Sequence, residues 1–319
     1  MRVSLTRLGF GAAPIGNLYQ EVSDEQAHTA VDVAWDNGVR YFDTAPHYGL
    51  GLSEQRLGEA LAARPRSEFV LSTKVGRLLE PSDAGGDDLA NGFAVPASHR
   101  RVWDFSADGV KRSLESSLDR LGTDHVDVVY LHDPDGHWEQ ASREGIPALV
   151  GLREQGVVGA IGVGMNQWEM PARFVRETDV DVVMLAGRYT LLEQDSVEEF
   201  LPLCLERGVA VVAAGVFNSG LLAQAAVPDG AMYDYAAAPP EVVDRARRIA
   251  AVCEGVGVAL PQAAIQFPLG HPAVVGVVVG SRTAGQMEAN AGHFAAPVPV
   301  GLWGALRAEG LLRSEVPGL

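Results

Sequence analysis

Eight short apolar runs, each followed by a helical pattern, most limit the folds open to this sequence. The runs are continuous and Val-rich, which is typical of parallel strands buried on both faces. They lie at residues 7–13, 39–45, 68–75, 126–132, 159–164, 180–187, 208–217 and 274–280. Strands and helices that alternate eight times predict a (β/α)8 barrel.

The chain length of 319 residues suits one barrel domain over residues 1–319. A doubly wound sheet is the alternative, and it needs a G-x-G-x-x-G turn between a strand and a helix. The nearest segment, "GFGAAPIG" at 9–16, has a different spacing and is followed by no helix. We therefore predict an α/β fold, a (β/α)8 TIM barrel in a single domain.

Amphipathic segments lie between the apolar runs. The first, at 23–38, begins with Ser23 as a candidate N-cap and ends with Gly38 as a stop signal. Others lie at 52–63, 106–122, 145–156, 170–178, 196–208 and 239–257. Residues 77–106 break the alternation as a long irregular connection after the third run. On a barrel this segment rises from the C-terminal face, where active sites lie.

Charge and composition argue against several classes of function. A net charge of −16 disfavours nucleic acid and anionic membranes as partners, since both require a basic surface. Cys204 and Cys253 suggest no disulfide framework, and without C-x-x-C, H-E-x-x-H or H-x-H we predict no metal site. The first residues break at glycines and a proline before an export signal could form, and no segment approaches a membrane span. We expect a cytoplasmic protein.

Ionisable or polar residues end three neighbouring apolar runs. Asp43 ends the second with Tyr48 just beyond it, Lys74 ends the third, and His132 ends the fourth. Each alone has an ordinary explanation: a turn cap for Asp43, a solvent-reaching strand end for Lys74, a packing residue for His132. Together, on adjacent strands of one barrel, they predict a reactive site at its rim.

The segments "FDTAPHYGLGLSEQRLGEAL", "LSTKVG" and "LHDPD" resemble the Asp, Tyr, Lys and His segments of the aldo-keto reductases. The resemblance extends from "LGFGAAPIGN" to "GSRTAGQMEAN". Within the family, "LAGRYTLLEQ", "AAGVFNSGLLA" and "IQFPLGHPAV" are similar to sugar dehydrogenases of L-fucose, L-galactose and D-threo-aldoses; a related branch oxidises pyridoxal. The resemblance implies an NAD(P)-dependent oxidoreductase that oxidises an aldose to a lactone. The alternatives are pyridoxal oxidation and general aldehyde or ketone reduction.

The resemblance also implies the role of each catalytic residue. Tyr48 is the acid/base, and because an unperturbed phenol titrates near 10, the ammonium of Lys74 is needed to lower its pKa. Asp43 pairs with Lys74, and His132 polarises the substrate oxygen. His47 matches no catalytic position and is expected to be a pocket wall or a surface residue. Glu54 is expected to serve helix capping and packing.

Cofactor contacts follow from the resemblance by position. The turn after the seventh strand matches a pyrophosphate-binding turn through Gly215, Phe217, Asn218, Ser219 and Gly220, and the segment after the eighth matches an adenosine site through Ser281, Arg282, Gln286 and Asn290. An ordinary βα turn is the alternative for the second segment. Two places depart from the family. After strand five the usual Ser-Asn is replaced by "GMNQ", where Asn166 takes the carboxamide role. On strand six the common glutamine is replaced near Ala186, and Arg188 and Tyr189 follow. We include Tyr189 among the expected cofactor contacts.

The cofactor preference depends on charge near the 2′-phosphate of NADP. Reductases of this family commonly have a lysine directly before the serine and an arginine a few residues on. Gly280 and Gln286 stand at those places, so Arg282 is the nearby cation. We therefore expect NAD to be used at least comparably to NADP.

The substrate pocket is expected to be walled by aromatic residues of the loops. The candidates are Trp103, Phe105 and Trp138, with Trp168 and Tyr233 as further ones, and packing is the alternative for each. Two other classes of function remain: a non-enzymatic nucleotide-binding regulatory subunit, and a barrel hydrolase with a metal ion. The substrate is expected to be a small sugar or carbonyl compound.

Overall fold

The eight predicted strands are all present, and they pair in parallel around a closed barrel. The computed structural model describes residues 3–83, 85–234 and 236–317, so both ends of the predicted domain lie outside the described residues. In chain order the barrel strands are Leu8–Gly11, Tyr41–Asp43, Val70–Val75, Val128–His132, Ala160–Met165, Val182–Ala186, Ala210–Ala214 and Val274–Gly280. Each pairs with its neighbours in sequence, and the eighth pairs with the first. The predicted (β/α)8 fold is confirmed.

Helices cover the outside of the barrel. They span Asp24–Asp36, Leu52–Leu61, Ala107–Leu121, Ile146–Glu154, Glu169–Glu177, Phe200–Arg207, Pro240–Gly255, Leu260–Gln266, Ala284–Ala295 and Val300–Ala308. Ser23 caps the first with a full capping box, and Gly38 beyond its end has a φ of 80°, as predicted. The sequence analysis did not predict the last three, which are rich in Ala and Gly and have few charged residues to mark an outer face.

The core has two layers. One lies inside the barrel and contains Tyr41, Tyr130, Met184, Val212 and Val278, all buried. The other, much larger, lies between the strands and the helices. Because the strands are buried on both faces, their apolar residues do not alternate with polar ones.

The segment 77–106 is more ordered than predicted. Arg77–Pro81 pairs with His99–Trp103, and Asp87–Asp88 pairs with Phe93–Pro96, both antiparallel. The prediction of an irregular connection was wrong here, because Arg and His occupy strand positions and hide the alternation. The segment folds back onto the barrel mouth, where Phe93 bridges to Leu18 of the first loop.

In the part of the chain that is described, no single helix is long and apolar enough to cross a membrane. Pro240–Gly255 and Leu260–Gly270 meet the criteria of length and composition only as a pair, and the pair is bent by 101°.

Candidate active site

The structure brings the strand-end residues together at one rim. Asp43 closes the second strand, Lys74 lies near the end of the third, and His132 closes the fourth. The register sets Asp43 beside Ser72 and Lys74 beside Tyr130. Since parallel strands direct their carboxyl ends to the same side, the three side chains meet at the C-terminal face of the barrel.

Lys74 and Asp43 form a buried ion pair. The ammonium donates to Oδ2 of Asp43 at 2.6 Å and to the carbonyl oxygen of Thr44 at 3.0 Å. The side chains of Lys74 and Asp43 are 2% and 4% exposed, so neither charge is hydrated by bulk water. Such a pair must satisfy its hydrogen bonds within the protein, and this one does.

Burial and pairing act on both groups of this pair. Burial raises the pKa of Asp43, and the charge of Lys74 and the hydroxyl of Ser72 partly oppose that rise. Burial acts to lower the pKa of Lys74, but Asp43 and Tyr48 outweigh it, so the pKa of Lys74 is raised. Lys74 therefore remains an ammonium at neutral pH.

Tyr48 lies directly beside this ammonium. The Nζ atom of Lys74 is 4.8 Å from the centroid of the Tyr48 ring, and a side-chain hydrogen bond joins the two residues. The turn that carries Tyr48 presses on the first loop: a Cβ added to Gly49, whose φ is 64°, would lie 2.2 Å from the carbonyl oxygen of Gly16. Only glycine fits this contact and this backbone conformation, so the turn fixes the position of the phenol.

His132 completes the cluster. Its ring centroid is 5.8 Å from that of Tyr48, nearly perpendicular to it. Burial, followed by the charges of Arg77 and Lys74, holds the pKa of His132 well below its usual range. A neutral imidazole carries one N–H, so His132 is suited to donate a hydrogen bond to an oxygen near Tyr48.

Two other polar residues of the same segment were expected to have ordinary structural roles. His47 packs beside the cluster, with its ring centroid 5.3 Å from Phe93 and 5.6 Å from His132. Glu54 is fully buried and accepts from Thr73 of the third strand at 2.7 Å and from Arg120 at 2.6 Å, so it ties its helix to its neighbours. The predicted capping role is not seen, because the helix Leu52–Leu61 begins without a side-chain cap.

Two arginine–aspartate pairs beside the cluster were missed by the sequence analysis. Arg77 donates to Asp133, and Arg101 donates to both oxygens of Asp88 at 2.7 and 2.6 Å. Arg77 and Asp133 follow the ends of the strands that carry Lys74 and His132, and this offset is a signal that would have found them. Arg101 and Asp88 lie inside the long loop, where no sequence signal marks them.

A cavity of about 440 Å³ opens beside these groups. Its lining includes Arg77, Trp103, Asp133, Asp135, Asn166 and Gln167. The volume is within the range of small-molecule sites. Two other depressions, of about 410 and 270 Å³, lie at the opposite end of the barrel, one around Val3–Leu5 and one around Arg40 and Arg66.

The five aromatic residues predicted to wall the substrate pocket lie in different environments. Trp103 lines the cavity and is 42% exposed. Phe105 is fully buried and packs over Gly76, which leaves it no surface for a ligand. Trp138 packs edge-on against Phe174 in the helix layer. Trp168 also packs against the core, and Tyr233 donates its hydroxyl to Glu193.

The turn after the seventh strand has a backbone suited to an anion. Positive φ angles occur at Gly215, Asn218, Ser219 and Gly220. Gly215, Ser219 and Gly220 are exposed, whereas Asn218 is buried and donates to the carbonyl oxygen of Gly187 at 3.2 Å. Left-handed residues within a tight turn can direct neighbouring backbone N–H groups to one side, although the N–H groups of Asn218 and Gly220 donate to carbonyl oxygens within this turn at 2.9 and 3.1 Å. Phe217, in the same turn, is half-buried.

The segment after the eighth strand leads into the helix Ala284–Ala295. Ser281 is buried and accepts from Asn290 at 3.0 Å, so these two residues form one polar unit. The backbone N–H of Arg282 donates to the side chain of Gln286 at 2.9 Å, and the Arg282 guanidinium reaches the carbonyl oxygen of Leu18. The side chain of Gln286 is thus engaged by the backbone at the start of the helix.

Tyr189 does not fit its expected role. It is 1% exposed, and its ring packs against Phe267 at 5.2 Å and His271 at 5.9 Å. This leaves no free face for a nicotinamide, because the chain after the sixth strand turns the phenol into the outer core. Asn166, in contrast, is exposed at the end of the fifth strand and lines the cavity, where it can meet a carboxamide.

These features define a class of protein. A (β/α)8 barrel with Tyr, Lys, Asp and His at its carboxyl rim, and a turn with four positive φ angles after its seventh strand, fits an NAD(P)-dependent oxidoreductase. The chain belongs to the aldo/keto reductase family, which matches residues 7–305. Among the described residues no group of three or more His, Cys, Asp or Glu could hold a metal ion.

Individual relatives agree with this assignment. The chain is 48% identical over 314 residues to a D-threo-aldose 1-dehydrogenase of Pseudomonas sp., covering 97% of this chain and 95% of that protein. It is 41% identical over 330 residues to a pyridoxal 4-dehydrogenase of Microbacterium luteolum, with the same coverage of 97% and 95%. The structure is similar to the holo form of an aldo-keto reductase from Bacillus halodurans, with a TM-score of 0.76, 26% identity, and coverage of 98% of this chain and 95% of that one.

Proposed function

We propose that this enzyme oxidises an aldose at its anomeric carbon to the lactone, with NAD⁺ or NADP⁺ as the acceptor. The observation that carries the chemistry is the position of Lys74, which contacts both Asp43 and Tyr48. The 48% identity to a D-threo-aldose 1-dehydrogenase supports an aldose as the substrate. A cytoplasmic location belongs to the same proposal.

The proton is handled by Tyr48. When bound, the nicotinamide cofactor accepts the hydride that leaves the anomeric C–H bond. The anomeric hydroxyl gives its proton to the Tyr48 oxygen as its C–O bond becomes the C=O bond of the lactone, and Tyr48 then releases that proton to solvent. The charge of Lys74, 4.8 Å from the ring centroid, stabilises the phenolate that accepts the proton.

His132 and Asp43 support this transfer differently. The neutral imidazole of His132 donates to the reacting oxygen and holds it against Tyr48. Asp43 does not touch the substrate; it keeps Lys74 charged and fixed through a 2.6 Å bond. Asp43, Lys74 and His132 are buried, where such interactions are strengthened.

The cofactor is proposed to lie across the carboxyl rim. The turn at Gly215, Ser219 and Gly220 fits the pyrophosphate, and the Ser281–Asn290 unit with Arg282 fits the adenosine. Asn166, which is exposed and lines the cavity, is proposed to bind the nicotinamide carboxamide.

We propose that NAD⁺ is used at least comparably to NADP⁺. Pro14 supports this, because a Cβ built on Gly280 would lie 2.8 Å from its Cγ, so no cationic side chain fits there without a shift. Gln286 is uncharged and bonded to the backbone of Arg282, so it adds no cation for a 2′-phosphate.

Pyridoxal oxidation is the second candidate, on the 41% identity to a pyridoxal 4-dehydrogenase. General reduction of aldehydes or ketones is a third. A panel of aldoses, pyridoxal and simple aldehydes, assayed with NAD⁺, NADP⁺, NADH and NADPH, separates them. We expect the highest kcat/KM with an aldose and formation of the lactone by NMR; faster oxidation of pyridoxal than of every aldose would overturn the proposal.

A further inference from the structure

Arg77, which is buried, and Asp133, which is half-buried, form a pair directly beside the reacting groups. Arg77 follows the end of the third strand and donates to Oδ2 of Asp133, the residue after His132. Their side chains are 10% and 20% exposed. The guanidinium also lies 4.3 Å from the centroid of the Trp103 ring, so its position is fixed from two sides.

The backbone of Asp133 is held in an uncommon conformation. Its φ is 44°, a left-handed value that few residues other than glycine adopt, and its N–H donates to the carbonyl oxygen of Gly164 at 3.0 Å. In this conformation its Oδ2 lies 3.7 Å from Nε2 of His132. A carboxylate is therefore held at the edge of the reaction centre by backbone that costs free energy to form, which is typical of functional positions.

The cavity next to this pair is polar, and its lining carries more negative than positive charge. Asp133 and Asp135 supply two carboxylates, Arg77 supplies one guanidinium, and Gln167 donates to Asp135 at 2.9 Å. A phosphate on the substrate would meet more negative than positive charge here. Neutral hydroxyls suit the lining better, because they donate to the carboxylates and accept from the remaining N–H groups of Arg77.

We propose that the Arg77–Asp133 pair selects a neutral, unphosphorylated polyol by binding two hydroxyls on neighbouring carbons, and that it holds their ring against Tyr48 and His132. This inference rests on the proposed oxidation of an aldose. It makes the pair a specificity element: a site built to hydrogen-bond a hydroxyl discriminates strongly against an analogue without it, since its own buried groups are then left unpaired.

The test compares four substrates in the full-length enzyme with its preferred cofactor. They are the best aldose, the same aldose lacking one ring hydroxyl, its phosphate ester, and a simple aldehyde assayed in the reductive direction. The variants are Asp133→Asn and Arg77→Lys; the second keeps the charge but loses the planar fork of donors. Asp88→Asn is the matched control, since Asp88 forms an arginine–aspartate pair with Arg101 in the long loop and does not line the cavity.

We expect Asp133→Asn and Arg77→Lys to lower kcat/KM for the aldose by about 10- to 100-fold, the loss typical of a charge-assisted hydrogen bond. The kcat/KM for the deoxy analogue and for the simple aldehyde should change by less than about 3-fold, because these substrates lack the hydroxyl that the pair binds. Asp133→Asn should also narrow the gap between the aldose and its phosphate ester. Asp88→Asn should leave the ratios between substrates unchanged.

An equal loss on all four substrates, or the same change of ratios in Asp88→Asn, would overturn the selection role while leaving aldose oxidation in place. Unchanged ratios in both site variants, with folding verified by circular dichroism, would do the same. If the unmodified enzyme oxidises no aldose with either cofactor, both this inference and the proposed function fail.

Discussion

The hydroxyl of Ser72 donates to Oδ1 of Asp43 at 2.7 Å, while Lys74 holds the other carboxylate oxygen. Ser72 also lies 3.1 Å from the hydroxyl of Tyr41, which lies 3.1 Å from that of Tyr130. A serine has one hydroxyl proton and an ionised carboxylate only accepts. Because Ser72 donates its proton to Asp43, Tyr41 donates to Ser72 and Tyr130 donates to Tyr41. The carboxylate thus ends a chain of buried hydroxyls inside the barrel.

Ser72→Ala should lower kcat/KM by raising the pKa of Asp43. The bond from Ser72 lowers the pKa of Asp43, so its loss raises that pKa further, and the charged Asp43–Lys74 pair is lost at a higher pH on acidification. We expect kcat/KM to fall about 3- to 10-fold at neutral pH, as for one hydrogen bond, and the acid limb of its pH profile to move up. Ser113→Ala is the control, because this buried hydroxyl has no partner among the described residues. An unmoved acid limb would contradict the prediction.

Tyr48→Phe should remove most turnover and leave cofactor binding nearly intact. Only the proton-transfer group is lost, and such groups contribute typically about 10²- to 10⁴-fold. Stopped-flow or steady-state rates with the best substrate, together with quenching of protein fluorescence by the cofactor, measure the two effects. Tyr189→Phe is the matched control, since its buried hydroxyl has no partner in the described part of the chain. Near-normal turnover in Tyr48→Phe would show that another group is the acid/base.

Lys74→Met should be about as damaging, with residual activity displaced to higher pH. Without the ammonium the phenolate of Tyr48 loses its stabilising charge, so more alkaline conditions are needed to form it. The folded pKa of Lys74 is raised above 10.5, so its contribution to stability is full below pH 10.5 and is lost as pH rises through the folded pKa.

The same substitution should lower the free energy of unfolding by about 3–5 kcal/mol, because Asp43 is left buried without its cation. The double variant Asp43→Asn with Lys74→Met should recover much of that stability but none of the activity. Denaturant unfolding of the unmodified enzyme, Lys74→Met and the double variant tests this: a double variant no more stable than Lys74→Met would show that the uncompensated charge is not the cause.

The barrel and the strand-end cluster could both be predicted from the sequence, and for the same reason. Val-rich runs that alternate with helical patterns predict parallel strands, and Asp43, Lys74 and His132 occupy the ends of those runs. Their convergence needs only the common direction of parallel strands.

The surroundings of the cluster could not be predicted in this way. Arg101 and Asp88 meet only because the long loop folds into antiparallel pairs, and the sequence of that loop shows no clear alternation. Tyr189 was misplaced because a position in a motif does not state which way a turn directs a side chain; tertiary packing against Phe267 decides it. Long-range contacts of loops are not encoded in local periodicity.

The preference between NAD⁺ and NADP⁺ should follow from two uncharged residues. A lysine or arginine does not fit at position 280 without a shift, because a Cβ on Gly280 would lie 2.8 Å from Pro14 Cγ. Gln286, in contrast, is exposed at the start of its helix and tolerates substitution. We expect kcat/KM with NAD⁺ to be at least comparable to that with NADP⁺. Gln286→Arg should shift the ratio towards NADP⁺ by about 10- to 100-fold, since a charge-assisted contact contributes about 1.5–3 kcal/mol.

The proline provides the internal comparison for this prediction. Gly280→Lys alone should destabilise the protein without a matching gain for NADP⁺, and adding Pro14→Ala, which removes the obstructing Cγ, should restore stability and shift the ratio towards NADP⁺. Measuring kcat/KM for both cofactors with one substrate, alongside thermal unfolding, tests each step. A strong preference for NADP⁺ in the unmodified enzyme would instead mean that Arg282, released from the carbonyl oxygen of Leu18, already binds the 2′-phosphate.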